Sequence, residues 1–146
     1  NFANTLEQVT TSINQIIENN NVTINSDFSK AEIIEYIPAY LDSIFLNLLT
    51  NAIKYKHKDR DPVIDISTSR DFTNYDRVVL KISDNGLGID MDKFGDKLFG
   101  MYKTFHYNTD ARGIGLFITK NQVESLNGEI SATSDVNLGT TFTIKF

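Results

Sequence analysis

The stretch "ISDNGLGIDM", Ile82–Met91, sets Gly86 and Gly88 two residues apart behind the pair Asp84–Asn85. Glycine at both positions lets the backbone take positive φ and pass close to a ligand. The pattern is not a P-loop, because no Lys-Ser/Thr closes it. It is not a dinucleotide fingerprint either, because the third glycine is missing. Taken alone, Asp-x-Gly-x-Gly also suits a strand that ends in a tight turn, with Asp84 closing an Asx-turn. Its meaning depends on what surrounds it.

The stretch follows two runs, "VIDISTS" from Val63 and "RVVLKIS" from Arg77, that read as strands joined by a polar hairpin containing Asn74 and Asp76. Upstream, Phe2, Leu6, Val9, Ile13, Ile16 and Ile17 recur at helical spacing and predict one amphipathic first helix. A short strand is expected around Val22–Ile24. A second helix is expected from about Pro38 to about Tyr55, with proline in its first turn. From Asp84 to Arg112 nothing is strongly periodic, although Phe94, Phe99, Tyr102, Phe105 and Tyr107 fall there. Gly113 to Asn127 reads as a third helix ended by Gly128. "EISATS" and "TTFTIKF" close the chain as strands, with Phe142, Ile144 and Phe146 on one face. The sum is a two-layer α/β sandwich, with helices on one face of a mixed, mostly antiparallel sheet.

The second helix has two distinct faces. Leu41, Ile44, Phe45, Leu48, Leu49, Ala52 and Ile53 form an apolar stripe, and Asn47, Asn51 and Lys54 share a narrow arc away from it, bordered by Tyr55. Asparagine is a poor residue for a helix interior, since its amide competes for backbone hydrogen bonds. Two of them four apart, with a lysine one turn on, read either as a solvated face or as oxygen ligands and a cation turned toward Mg²⁺ and phosphates.

Composition narrows the classes. At 146 residues the chain is expected to be one domain, 1–146, and a start at Asn1 reads as a piece cut from a longer protein. No apolar run is long enough to span a bilayer, no signal-peptide pattern opens the chain, and cysteine is absent, all in keeping with a cytoplasmic domain. A net charge of −5 with no basic block argues against a nucleic-acid partner. An acidic chain can still hold a polyanion at a focused site, often with a metal.

"NLLTNAIKY", "DNGLGID", "KLFGMYKTFH", "ARGIGLF" and "GTTFTIKF" occur in that order. Together they resemble the catalytic ATP-binding domain of sensor histidine kinases, whose Bergerat fold is shared with gyrases, mismatch-repair ATPases and certain heat-shock chaperones. The resemblance covers nearly the whole chain. It implies ATP and Mg²⁺ as ligands, with Asp84 accepting a hydrogen bond from the adenine amino group. Gly86, Gly88 and Ile89 would pass beside the base, and Thr140 would support Asp84 and an ordered water. It further implies that Asn47, Asn51, Lys54 and Tyr55 line the nucleotide and that Asn51 holds the metal. Gly113, Ile114, Gly115 and Leu116 would open the third helix toward the phosphates, with Arg112 adding a cation. Asn51, Lys54 and Arg112 are the implied catalytic residues. The segment from about Asp90 to Arg112 corresponds to a mobile ATP lid, whose rings would contact the core or a phosphoacceptor domain.

Two positions depart from the family pattern. Ala111 replaces the first glycine of Gly-x-Gly-x-Gly-Leu, and Thr104 stands where many relatives carry an arginine that contacts the γ-phosphate. Lys97, Lys103 and Arg112 are then the candidate clamps. His57 and His106 lie in a charged turn and in the lid, and neither reads as the phosphoacceptor. The implied activity is transfer of the γ-phosphate to a histidine on a separate dimerisation domain of a homodimeric parent kinase, membrane-anchored or not, with a response regulator downstream. The chaperone and gyrase ATPases carry a glutamate one turn before the metal-binding asparagine as general base. Here that position is Asn47, which cannot accept a proton. The alternatives are an ATPase of this superfamily, a serine-kinase anti-sigma domain, or a degenerate nucleotide-binding interaction module.

Overall fold

The computed structural model describes residues 1–100 and 114–146. Along these residues run α1 (Phe2–Ser12), α2 (Asn14–Asn19), β1 (Thr23–Asp27), α3 (Pro38–Lys54), β2 (Val63–Arg70), β3 (Val78–Asp84), α4 (Met91–Phe94), a single 3-10 turn at Gly95–Lys97, α5 (Gly115–Ser125), β4 (Glu129–Asp135) and β5 (Gly139–Lys145). The strands form one sheet in the order β1-β2-β3-β5-β4. β1 joins β2 in parallel, and the other three pairings are antiparallel.

Register puts one set of apolar side chains on the helix side of the sheet. Ile66 stands opposite Ile82, Leu80 opposite Ile144, and Ile82 opposite Phe142. All five are buried, while their neighbours Asp65, Ser67 and Lys81 are exposed on the other face. α3 lays Leu41, Ile44, Phe45, Leu48, Leu49, Ala52 and Ile53 onto that layer, all buried. This is the stripe read from its spacing. Pro38 opens α3 at a position whose N–H would have no helical partner, and Tyr55 closes it at φ −99°. No helix among the described residues is long and apolar enough to cross a membrane.

Three expectations are corrected. The first helix is two, broken at Ile13. Thr10, Thr11 and Ser12 explain the break: their hydroxyls donate back to the carbonyls of Leu6 and Glu7, of Glu7, and of Val9, at 2.6–3.1 Å. Such back-bonding competes with the helical ladder and bends it. The helix expected to end at Gly128 stops at Ser125, and the positive φ falls on Asn127 (61°). Gly128 is required for close approach instead, since a Cβ there would lie 2.8 Å from the Lys145 carbonyl oxygen. The stretch after Asp84 also contains short α4, which Asp90 caps by accepting from the Lys93 N–H at 3.2 Å.

The hairpin after β2 is anchored by Asp71. It is buried, accepts from the Thr73 N–H at 3.0 Å and the Thr73 hydroxyl at 2.9 Å, and pairs with Lys145 at 3.0 Å. The Thr73 amide, then Lys145, then the Thr73 hydroxyl pull its pKa from 3.8 down to about 2. A carboxylate depressed on folding stabilises the fold fully above its unfolded pKa of 3.8. That contribution is lost as pH falls through about 2. Asp71→Asn is therefore expected to lower thermal stability at pH 7, with the two proteins converging toward pH 2. A melting series across pH checks this.

Candidate functional site

Asn47, Asn51 and Tyr55 lie at successive turns of one face of α3, so Asn47 and Tyr55 are separated by about 12 Å along the helix axis. At one end of that face stands the start of α5. The Asn47 amide nitrogen lies 3.4 Å from the Gly115 carbonyl oxygen and 3.3 Å from the Thr119 hydroxyl, which is itself buried. A Cβ on Gly115 would sit 3.6 Å from Asn47 Oδ1. α5 begins after Ile114, and among the described residues no side chain caps its first turn. Its leading N–H groups and the positive end of its dipole lie at this end of the site. Leu116 packs partly buried against the core.

At the other end of the face lies the turn that follows β3. The Leu87 N–H donates to the Tyr55 carbonyl at 2.9 Å. Gly86 passes so close that a Cβ there would stand 2.6 Å from the same oxygen. Gly88 takes φ +69°, and a Cβ on it would collide with the Asp135 carbonyl. Both glycines are required sterically. The Lys54 ammonium lies 6.0 Å from the centroid of the Tyr55 ring, a cation–π distance. The Tyr55 phenol is half-buried, and burial raises its pKa.

Asp84 sits at the end of β3 beside this turn. Its Oδ1 accepts from the Gly86 N–H at 2.8 Å and, more weakly, from the Thr140 N–H at 3.4 Å. The Asx-turn weighed as the plain reading of Asp84 is thus present, but it occupies one oxygen only. Oδ2 makes no hydrogen bond among the described residues. Burial raises the Asp84 pKa, and the amides of Gly86 and Thr140 oppose that rise. Thr140 supports the carboxylate through its backbone. Its hydroxyl pairs with Ser134 at 2.8 Å, and Ser134 Oγ also accepts from the Ile89 N–H at 2.8 Å. Thr141 is an ordinary strand residue, paired with Ser83 at 2.8 Å.

Two residues that hold this turn escaped the sequence reading. Asn85 accepts from the Val63 N–H at 2.9 Å and donates to the Asp61 carbonyl at 3.0 Å. Arg60 donates from Nε to the Asn85 carbonyl at 2.7 Å, and from Nη2 to the carbonyls of Gly86 (3.2 Å) and Asn137. In the sequence Arg60 is one charge among several in "KYKHKDRD". No local pattern signals that its partners are backbone carbonyls.

The structure thus brings Asn47, Asn51, Lys54 and Tyr55 onto one helix, with Ile114, Gly115 and Leu116 at one end and Asp84, Gly86, Gly88, Ile89 and Thr140 at the other. Arg112, Gly113, Lys103, Thr104, His106 and Ala111 lie outside the described residues. Of the aromatic residues placed in the lid, Phe99 meets the core at Phe142 (centroids 6.3 Å apart) and carries Lys120 over its ring at 5.8 Å. Among the described residues no group of three or more His, Asp or Glu side chains could chelate a metal. A cation here would take most of its oxygens from a ligand and water, which suits Mg²⁺ shared with phosphates.

Comparison with known proteins agrees with this geometry. Residues 37–146 match the family model for histidine kinase-, DNA gyrase B-, and HSP90-like ATPases. The chain is 32% identical to the sensor protein kinase WalK of Staphylococcus aureus over 141 residues, covering 90% of this chain and 33% of that protein. It is 30% identical to the histidine protein kinase SaeS of Staphylococcus aureus over 134 residues, 89% of this chain and 37% of SaeS. The chain therefore spans well under half of these relatives. In fold it resembles the nucleotide-free catalytic domain of histidine kinase ThkA at a TM-score of 0.81 and 20% identity, over 100% of this chain and 93% of that one. Full-length ShkA in complex with AMPPNP aligns at a TM-score of 0.78 and 20% identity, over 99% of this chain and 29% of that one. The protein thus belongs to the histidine kinase-, DNA gyrase B- and HSP90-like ATPase family, with the catalytic ATP-binding fold of the sensor histidine kinases.

Proposed function

We propose that this chain, a single domain over 1–146, binds Mg-ATP and presents its γ-phosphate to a histidine on the dimerisation domain of a homodimeric parent kinase, which then supplies a response regulator. The observation that carries the reading is the Asp84 carboxylate. One oxygen is pinned by two backbone amides, and the other is left for a ligand at the end of a glycine-lined turn. A carboxylate so held accepts from the adenine amino group. Guanine would set a keto oxygen against it, and an unmatched polar contact of that kind costs about 1–3 kcal/mol.

The other residues follow along α3. Gly86, Gly88, Ile89 and Thr140 shape the base end, and Tyr55 borders it. Asn51, half-buried one turn from Tyr55, is the amide that would hold Mg²⁺, with Asn47 beside it. The ion would neutralise charge on the phosphates. Ile114, Gly115 and Leu116, with Gly113 and Arg112, would receive the phosphates at the start of α5. Lys54 supplies a cation on the same helix. Phosphoryl transfer needs chiefly positioning and charge neutralisation, which these groups provide. One observation favours a kinase half over an ATPase: Asn47 occupies the general-base position as an amide, bonded toward α5.

Calorimetric titration with Mg-ATP tests the reading. The native chain is expected to bind with a Mg²⁺-dependent affinity. Asn51→Ala should weaken binding by about tenfold, the loss of one charge-assisted contact. Melting without nucleotide should change by about 1 kcal/mol or less, because the apolar stripe of α3 is untouched. Collapse of the ligand-free fold in that variant would assign Asn51 to structure instead.

A further inference from the structure

Two side chains link the turns around Asp84: Ser134, through Ile89 and Thr140, and Arg60. The carboxylate takes one amide from Gly86, in the turn after β3, and one from Thr140, after the β4–β5 turn. Arg60 bonds the carbonyls of Asn85 and Gly86 in the first turn and of Asn137 in the second. The turns also meet directly, where the Asn137 N–H donates to the Leu87 carbonyl at 2.7 Å. We propose that Arg60 is a positioning residue for base recognition, fixing the two turns whose amides aim the Asp84 carboxylate. The inference rests on the nucleotide reading above.

The chemistry favours this over a purely stabilising role. Arg60 is exposed, and so are its contacts with Asn85 and Asn137. Water can satisfy those carbonyls when the side chain is removed, so little folding energy is at stake. Water cannot hold two separate turns at a fixed spacing. The planar guanidinium can, because its donors leave in fixed directions from one rigid group. A lysine ammonium at the end of a flexible stem cannot span the same carbonyls with defined geometry. The loss should therefore appear in pre-organisation of the base site rather than in the stability of the sheet.

The test titrates Mg-ATP and Mg-GTP into the native chain, Arg60→Ala, Arg60→Lys and Asp84→Asn, each well below its own melting temperature. Arg60→Ala is expected to lose about tenfold in ATP affinity. GTP makes no use of the amino-group contact, so its affinity should fall by less than about twofold, and discrimination should fall by about five- to tenfold. Arg60→Lys should recover only part of the loss. Equal losses for ATP and GTP, unchanged ATP affinity, or unfolding of both Arg60 variants would overturn the assignment. Failure of the native chain to bind ATP, or native-like binding by Asp84→Asn, would instead overturn the nucleotide reading and Arg60's role with it.

Discussion

Asp84→Asn is expected to lower ATP affinity by about 100-fold, the cost of replacing a matched charged contact with a clash of two donors. The two backbone amides decide the outcome. The N–H groups of Gly86 and Thr140 both point at Oδ1, so an asparagine must keep its carbonyl oxygen there. Its NH₂ is then turned to the base, donor against donor. Flipping the amide would give up both backbone bonds. Ligand-free stability should move the other way. Burial raises the Asp84 pKa, so the ionised group disfavours the fold at neutral pH, and that burden fades as pH falls through its folded pKa. Removing the charge should leave the melting temperature at pH 7 equal or higher. Calorimetry and melting on one preparation check both halves, and ATP affinity within about threefold of native would contradict the adenine placement.

Slow hydrolysis is the second large effect expected. A family member with a carboxylate one turn before the metal-binding asparagine gains about 10²–10⁴-fold from general-base catalysis, a gain this chain is expected to lack. Asn47 cannot take a proton. Asn47→Glu should restore little, less than about tenfold, because correct geometry is part of the base's effect. A carboxylate at this position would face the Gly115 carbonyl that the Asn47 amide now bonds, acceptor against acceptor. A phosphate-release assay on the native chain and Asn47→Glu reads this directly. Turnover by the native chain as fast as that of base-bearing relatives would contradict it.

What was legible in the sequence was whatever follows from period and local chemistry. The buried stripe of α3, the alternation of β2, β3 and β5, and the glycine requirement at Gly86 and Gly88 are one-dimensional patterns with steric causes. The resemblance supplied the role proposed for Asp84, which periodicity could not. The break at Ile13 was hidden because apolar spacing runs on through it, and only the three hydroxyls before it betray the competing bonds. Asn127 takes the positive φ after α5, and Gly128 is needed instead for contact with β5, a long-range fact. Arg60 was invisible for the same reason: its partners lie 25 to 77 residues away and are main-chain carbonyls that carry no residue signature.

The central claim is that the chain holds ATP for a histidine rather than for water. The most direct measurement follows γ-labelled phosphate in the presence of Mg²⁺, with the chain alone and with the dimeric phosphoacceptor helices of its parent kinase added. The account predicts almost no free phosphate from the chain alone, and an acid-labile, alkali-stable phosphoprotein band on the helices that is absent with Asp84→Asn. Rapid release of free phosphate by the chain alone, with no label on the helices, would contradict it.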